Sequence, residues 1–189
     1  AGRILPVIDT KNLIKNSENA KDINIENANI NFKNVVFSYK KTDDEVLKNI
    51  DLHFEGGKMT SLVGHSGSGK STILNLIPRF YEPYKGDIFL DDINIKDIKL
   101  EKLRNLFSVV SQDINLFDGT VNFNISYGSK KKSYEEILNA LRDSGSEEFV
   151  NSLPHGIDTE IGENGVKLSG GQRQRIAIAR AFLKNAPFL

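Results

Sequence analysis

The sequence has 189 residues, 39% of them hydrophobic and 26% charged, with 25 Lys+Arg against 25 Asp+Glu. That size suits one domain, or one domain with a linker, and the balanced charge supplies no net field for a nucleic-acid backbone. No cysteine is present, which excludes disulfides and thiolate metal sites, and no run of about 18 apolar residues is available to cross a bilayer as a helix.

Residues 1–10, AGRILPVIDT, read as a helix end or a tether. Residues 11–28 are rich in Asn, Lys and Asp and read as an exposed linker. Two strand patterns follow, INFKNVVFSY over 30–39 and VLKNIDLHF over 46–54, separated by a polar turn. MTSLVG (59–64) is expected to be a short apolar strand. KSTILNLIPRF (70–80) has a helical pattern that places Ile73, Leu74 and Ile77 on one face and closes at Pro78. GDIFLDDINI (86–95) reads as strand, tight Asp-Asp turn and strand. A short helix over 99–107 and a buried strand SVVSQD (108–113) come next. Ser133 with Glu136 matches a capping box, Gly145 ends the helix it opens, and a last helix starts at SGGQ near 169. Strands alternating with helices predict an α/β fold.

Gly64-His65-Ser66-Gly67-Ser68-Gly69-Lys70-Ser71 satisfies G-x-x-x-x-G-K-[ST], with Thr72 following. Glycines let successive backbone N–H groups turn inward as an anion nest, and the helix that follows aims its N-terminus at the same place. Lys70 is placed to reach β- and γ-phosphates, and the Ser71 hydroxyl to ligate Mg²⁺. An apolar segment enters this loop and an amphipathic helix leaves it, the context that the motif requires. His65 occupies a variable position and reads as a loop side chain.

Leu168-Ser169-Gly170-Gly171-Gln172 opens a second helix. Taken alone, Ser169 caps that helix and the glycines permit its tight start. The same helix start also offers N–H groups to an anion. Two such places in one chain suggest two chains sharing nucleotide, the loop of one below the phosphates and Ser169 and Gly170 of the other closing over the γ-phosphate.

GHSGSGKST together with LSGGQRQRIAIARA resembles the nucleotide-binding domain of an ABC transporter, whose signature is LSGGQ. LFDGTVNFNISYG (116–128) and LPHGIDTEIGENGVKLSGGQ (153–172) resemble the exporter branch, of the multidrug and lipid A flippase type. AGRILPVIDT is similar to the end of the helix that joins an exporter's last membrane span to this domain. The resemblance covers almost the whole chain and weakens over 11–28. It implies an α/β P-loop NTPase of ABC type, with residues 1–28 a linker from the membrane domain and 29–189 the nucleotide-binding domain. Within it are an antiparallel β-subdomain (about 29–60 and 86–98), a nucleotide-binding core and a helical subdomain (about 118–167).

It also implies residue roles. Tyr39, otherwise a strand-end aromatic, would stack on adenine. Gln112, in Ser111-Gln112-Asp113, would fall in the Q-loop, with its carbonyl oxygen near Mg²⁺ and the attacking water. Ser169, Gly170, Gly171 and Gln172 would act on the ATP of an opposite chain. Glu163 reads equally as a group coupling to the membrane domain or as a solvated acid, and Lys130, Lys131 and Lys132 read as a solvated charge run. The implied partners are a second nucleotide-binding domain, as a homodimer, and the protein's own transmembrane domain, with no nucleic acid. The implied place is the cytoplasmic face of a bacterial inner membrane, and the implied activity an ATPase that powers export.

DIFLDD imitates a Walker B strand. It lies before the Q-loop, though, and continues with alternating INI, so Asp91 and Asp92 read as turn residues. In the family, APFL (186–189) leads into the true Walker B strand, whose Asp organises Mg²⁺ and whose following Glu polarises water. Neither is among the 189 residues. The expectation is therefore a domain lacking its C-terminal core strands, with weakened binding, hydrolysis near zero, and an exposed sheet edge that favours poor solubility or a covering dimer.

Overall fold

A computed structural model describes residues 14–40 and 44–189. The tether expected over 1–10 lies outside the described residues. The chain divides into two compact units, residues 1–105 and 106–189.

The first unit is built on an antiparallel sheet of order β2-β1-β3-β4, with β1 Ile30–Phe37, β2 Leu47–Phe54, β3 Lys85–Leu90 and β4 Ile93–Asn94. This agrees with the expected β-subdomain. Ile30 and Phe32 alternate inward on β1, and then the register slips between Phe32 and Val35, where Asn34 takes φ 49°. Beyond the bulge Val35, Val36 and Phe37 are all buried. Asp51 of β2 accepts the Asn34 N–H at 2.9 Å and holds the bulge. Gly86 on β3 crosses the same bulge at φ +77°, where a Cβ would lie 2.3 Å from the Asn34 carbonyl oxygen, so only glycine fits.

Helix α1 (Lys70–Leu76) buries Ile73 and Leu76, with Ile77 beyond it. Leu74, expected on that face, is exposed. The buried set follows the i, i+3, i+4 rule, which excludes i+1. A short helix α2 (Leu100–Asn105) buries Leu103. The expected strand over 59–64 does not form, and Met59 and Val63 are almost fully exposed. An apolar run makes a strand only where a neighbour completes its hydrogen-bond ladder, and among the described residues nothing pairs with this one.

The segment before the sheet is fastened to it rather than free. Lys21 donates its N–H to Asp97 O at 2.7 Å and accepts from Lys99 N at 3.0 Å. Gly56 passes so close beneath that a Cβ there would be 1.8 Å from Asn27 O. The two-residue hairpin between β3 and β4 is Asp91-Asp92, both at positive φ, as a type I′ turn demands. The turn reading of these residues is correct. Asp91 does more: Oδ2 accepts the N–H groups of Glu26, Asn27 and Ala28 at 2.8, 2.9 and 3.1 Å, and Oδ1 that of Asn29 at 2.8 Å. Arg79 is 3% exposed, and its guanidinium bonds Glu82, Ile95 O, Lys96 O and Lys15 O.

The second unit is helical. Helices α3 (Val121–Ser126), α4 (Tyr134–Asp143), α5 (Glu147–Asn151) and α6 (Gly170–Lys184) enclose Val121, Ile125, Ile137, Leu141, Val150, Ile161, Ile176 and Ala179. The capping box at Ser133 and Glu136 is present, and Gly145 follows α4 at φ +66°, as expected. Lys132 of the lysine run pairs with Glu136 at 3.0 Å. The strand expected over 108–113 is absent. Val109 is 60% exposed, and among the described residues ladder contact here is one parallel bridge between Phe107 and Phe188, whose rings stack at 4.7 Å. Phe188 N–H donates to Leu106 O, and Ser108 N–H to Phe188 O, so the final residues do begin a strand-like pairing. No helix of the described residues is long and apolar enough to cross a membrane.

Candidate functional site

The loop 64–69 is set by its glycines. Gly67 and Gly69 sit at φ +81° and +87°, in the left-handed region that side chains resist. Gly69 is pressed against Leu47, whose Cδ2 would be 2.7 Å from an added Cβ. At Gly64 an added Cβ would meet Ser68 Oγ at 2.7 Å, so the absent side chain lets the loop close on itself. The Lys70 ammonium lies inside the curve, donating to Gly64 O at 2.9 Å, His65 O at 2.8 Å and Ser68 Oγ at 3.3 Å. His65, Ser66, Gly67 and Ser68 are exposed, as is Ser71. Main-chain carbonyls are weak partners for an ammonium in contact with solvent. A polyphosphate can take the cation over, with hydroxyls and first-turn N–H groups at hand.

The donor set over residues 64–71 suits a polyanion: one ammonium, three serine hydroxyls and no carboxylate. Among the described residues no group of three or more His, Cys, Asp or Glu can hold a metal ion. A hard cation here would be held chiefly by phosphate oxygens, with Ser71 adding one hydroxyl. Phosphate oxygens and the Ser71 hydroxyl are part of the set that Mg²⁺ commonly takes, and the carboxylate that usually completes it is not within the loop.

Tyr39 lies two residues past β1 and belongs to the same unit as the loop. Its hydroxyl is 3.0 Å from Thr72 Oγ1, and Thr72 is 4% exposed. The Tyr39 ring meets Phe37 and Tyr81 edge-on, at 5.0 and 5.1 Å between centroids, yet remains 46% exposed. An aromatic surface is thereby offered beside the loop that carries Lys70.

The other expected residues lie in the second unit. Gln112 is exposed on a turn that Ser111 Oγ closes by donating to Asp113 O at 2.7 Å. Ser169 caps α6: its hydroxyl accepts Gln172 N–H, while Gln172 Oε1 accepts Ser169 N–H. Gly170 and Gly171 form the exposed first turn. Leu168, 5% exposed, anchors the approach, and Arg173 donates to its carbonyl at 2.7 Å. Glu163 is exposed on a 3-10 turn, Glu163–Gly165.

Sequence reasoning passed over Asn124 and Arg180. Asn124 is fully buried and binds Phe117 through both its N–H and its carbonyl. Arg180 of α6 donates to Asn124 O, Asn124 Oδ1 and Asn115 O, and its guanidinium lies over Phe117 and Tyr127. Burial lowers the Arg180 pKa, and Tyr127 opposes that in part. An Asn at i+4 from a Thr helix cap was the available signal, and it is a weak one.

Comparison with known proteins places this geometry. The ABC transporter family matches residues 47–189. An ATP-dependent lipid A-core flippase from Pasteurella multocida is 54% identical over 161 residues, covering 85% of this chain and 28% of that protein. An uncharacterized ABC transporter ATP-binding protein from Bacillus subtilis, YwjA, is 46% identical over 98% of this chain and 32% of its own length. Among solved structures, a bacterial Atm1-family ABC exporter with ATP bound superposes with a TM-score of 0.93 at 38% identity, over 99% of this chain and 33% of that one. The chain thus spans about a third of the length of these relatives. The phosphate-type loop, the LSGGQ helix and the antiparallel sheet are found together with that family match: the chain belongs to the ABC transporter family, as a nucleotide-binding domain of the exporter kind.

Proposed function

We propose that the chain binds Mg-ATP at residues 64–72 with the adenine on Tyr39. In the full-length protein, paired domains hydrolyse that ATP to drive export of a lipid or another hydrophobic compound. The observation that carries this reading is the Lys70 ammonium seated within a loop whose glycines hold left-handed conformations. Bound nucleotide would draw Lys70 Nζ from the Gly64 and His65 carbonyls onto the β- and γ-phosphates. The N–H groups and hydroxyls of Ser66, Ser68, Ser71 and Thr72 complete the cradle. When present, Mg²⁺ would supply charge neutralisation to the phosphates, with Ser71 as the loop residue that would hold it.

Ser169, Gly170, Gly171 and Gln172 of a second domain would meet the γ-phosphate from the other side, through the exposed N-terminus of α6. The assembly proposed is a homodimer joined to its own transmembrane domains at the cytoplasmic face of a bacterial inner membrane, with no nucleic-acid partner. The names of the relatives support this: several are lipid A-core flippases, and a Staphylococcus aureus relative, 45% identical, is a putative multidrug export ATP-binding/permease protein. Binding of nucleotide in both sites would favour the closed pair, and hydrolysis would release it.

Calorimetric titration of the chain with Mg-ATP, beside Lys70→Ala, tests the reading. Wild type should bind, and the variant should bind about 10–100-fold more weakly, the loss expected for a charged hydrogen-bonding partner. Equal affinity in the two would sink it.

A further inference from the structure

We propose that Lys184 and Ser108 are positioning residues for Gln112: with Arg180 they clamp both ends of the loop that carries it onto one turn of α6. This rests on the reading of Gln112 as a group that acts in ATP hydrolysis, and adds what sets its place. Residues 109–113 are exposed, and Gln112 lies on a turn closed by a local bond, Ser111 Oγ to Asp113 O. The chain on either side is buried, at Phe107 and Ser108 before the loop and at Leu116 after it. Upstream, Lys184 Nζ donates to Phe107 O at 2.6 Å, and Ser108 Oγ donates to Ala181 O at 3.0 Å. Downstream, Arg180 Nη1 donates to Asn115 O at 3.2 Å. Arg180, Ala181 and Lys184 stand at i, i+1 and i+4, within a single helical turn.

The clamp suits the end of a helix. Carbonyls of the last turn have no partner within the helix, and Ser108 Oγ satisfies that of Ala181. The Lys184 ammonium sits at the negative end of the helix dipole and directs an N–H onto the segment that leads into the loop. Arg180 also braces Asn124, so a change there reaches beyond the loop, and Lys184 and Ser108 are the cleaner probes. Without them the upstream end of the loop is free to swing about Asn115. A displacement of about 1 Å in a group near reacting atoms costs up to about 100-fold in rate. Loss of the ammonium should lower kcat about 10-fold, and loss of the hydroxyl, a weaker neutral bond, about threefold.

The test measures ATP hydrolysis by the full-length protein, at steady state and in single turnovers. Lys184→Met keeps the stem and loses the ammonium. Ser108→Ala removes one hydroxyl and leaves no charge behind, so it stands by itself if Lys184→Met fails to fold. Rates are taken per folded molecule, so a loss of stability alone does not move them. Each variant should lower kcat by the factor given, with KM for ATP within about twofold of wild type, since residues 64–72 are untouched. In Gln112→Ala neither change should lower the residual single-turnover rate further. Wild-type kcat in either folded variant overturns the proposal. So do losses that multiply with that of Gln112→Ala, which would place the effect elsewhere on α6, at Ser169 for instance. If Gln112→Ala hydrolyses ATP as wild type does, the reading of Gln112 itself fails and the proposal falls with it.

Discussion

Ser169 and Gln172 satisfy each other at the head of α6: Ser169 Oγ accepts Gln172 N–H at 3.3 Å, and Gln172 Oε1 accepts Ser169 N–H at 2.8 Å. The signature motif is therefore a capping box as well as a candidate nucleotide contact, and one substitution separates the two roles. Ser169→Ala should cost about 1 kcal/mol of stability through the lost cap. Ser169→Asn, an equally good cap, should restore it. ATP hydrolysis by the full-length protein should stay impaired in both variants. Thermal unfolding alongside an ATPase assay reads both quantities, and recovery of activity with stability in Ser169→Asn would leave Ser169 as a cap alone.

Asp91 should make the first unit sensitive to acid. Partial burial pushes its pKa up, but N–H donors from Asn29, Glu26, Asn27 and Ala28 outweigh that and hold it below the ordinary value of 3.8. A depressed carboxylate contributes stability that is present above the unfolded-state pKa and disappears as pH falls through the folded one. Unfolding free energy of wild type should therefore drop below about pH 4, and the drop should be smaller in Asp91→Asn, which cannot titrate. At neutral pH Asp91→Ala should cost about 2–3 kcal/mol, the scale of hydrogen bonds to a charged group. Identical pH profiles for wild type and Asp91→Asn would refute this.

These two residues mark what the sequence could and could not carry. The glycine loop, LSGGQ and the Ser133 capping box were legible because each is local: residue type and spacing set the conformation within one turn. The Asp91-Asp92 turn was legible for the same reason. That Asp91 also gathers four N–H groups from residues 26–29 was not, since those partners are more than 60 positions away. Strands were readable where a neighbour pairs with them, as in 30–37 and 47–54, and misread at 59–64 and 108–113. Apolar patterning states that a segment can be a strand, whereas the ladder that makes it one depends on a partner. Leu74 was misplaced because its neighbour Ile73 is buried and adjacent helical positions point about 100° apart.

Glu82 guards a buried charge. The Arg79 side chain is 4% exposed, at a backbone φ of +52°, and Glu82 is its carboxylate partner among backbone carbonyls. Removing an acid beside a buried guanidinium strands the cation. Because Glu82 is 35% exposed, water replaces part of what is lost. Glu82→Ala should lower stability by about 2–3 kcal/mol, at or below the bottom of the range for fully buried pairs. Urea unfolding should show a lower midpoint with an unchanged m-value. A midpoint equal to wild type would mean that the carbonyls alone suffice.

Arg180 ties the LSGGQ helix to the segment that follows Gln112. Three hydrogen bonds run from its guanidinium to Asn115 and Asn124, and two aromatic rings lie against it. The contacts require a planar fork, so lysine should not substitute for it. Arg180→Ala and Arg180→Lys should each cost about 2–3 kcal/mol and should speed amide exchange over residues 115–124, where Asn124 and Phe117 would lose their support. Exchange within α4, which Arg180 does not bond, should change only by the global loss. Faster exchange spread evenly over the second unit would mean that Arg180 contributes to general stability and does not order this segment in particular.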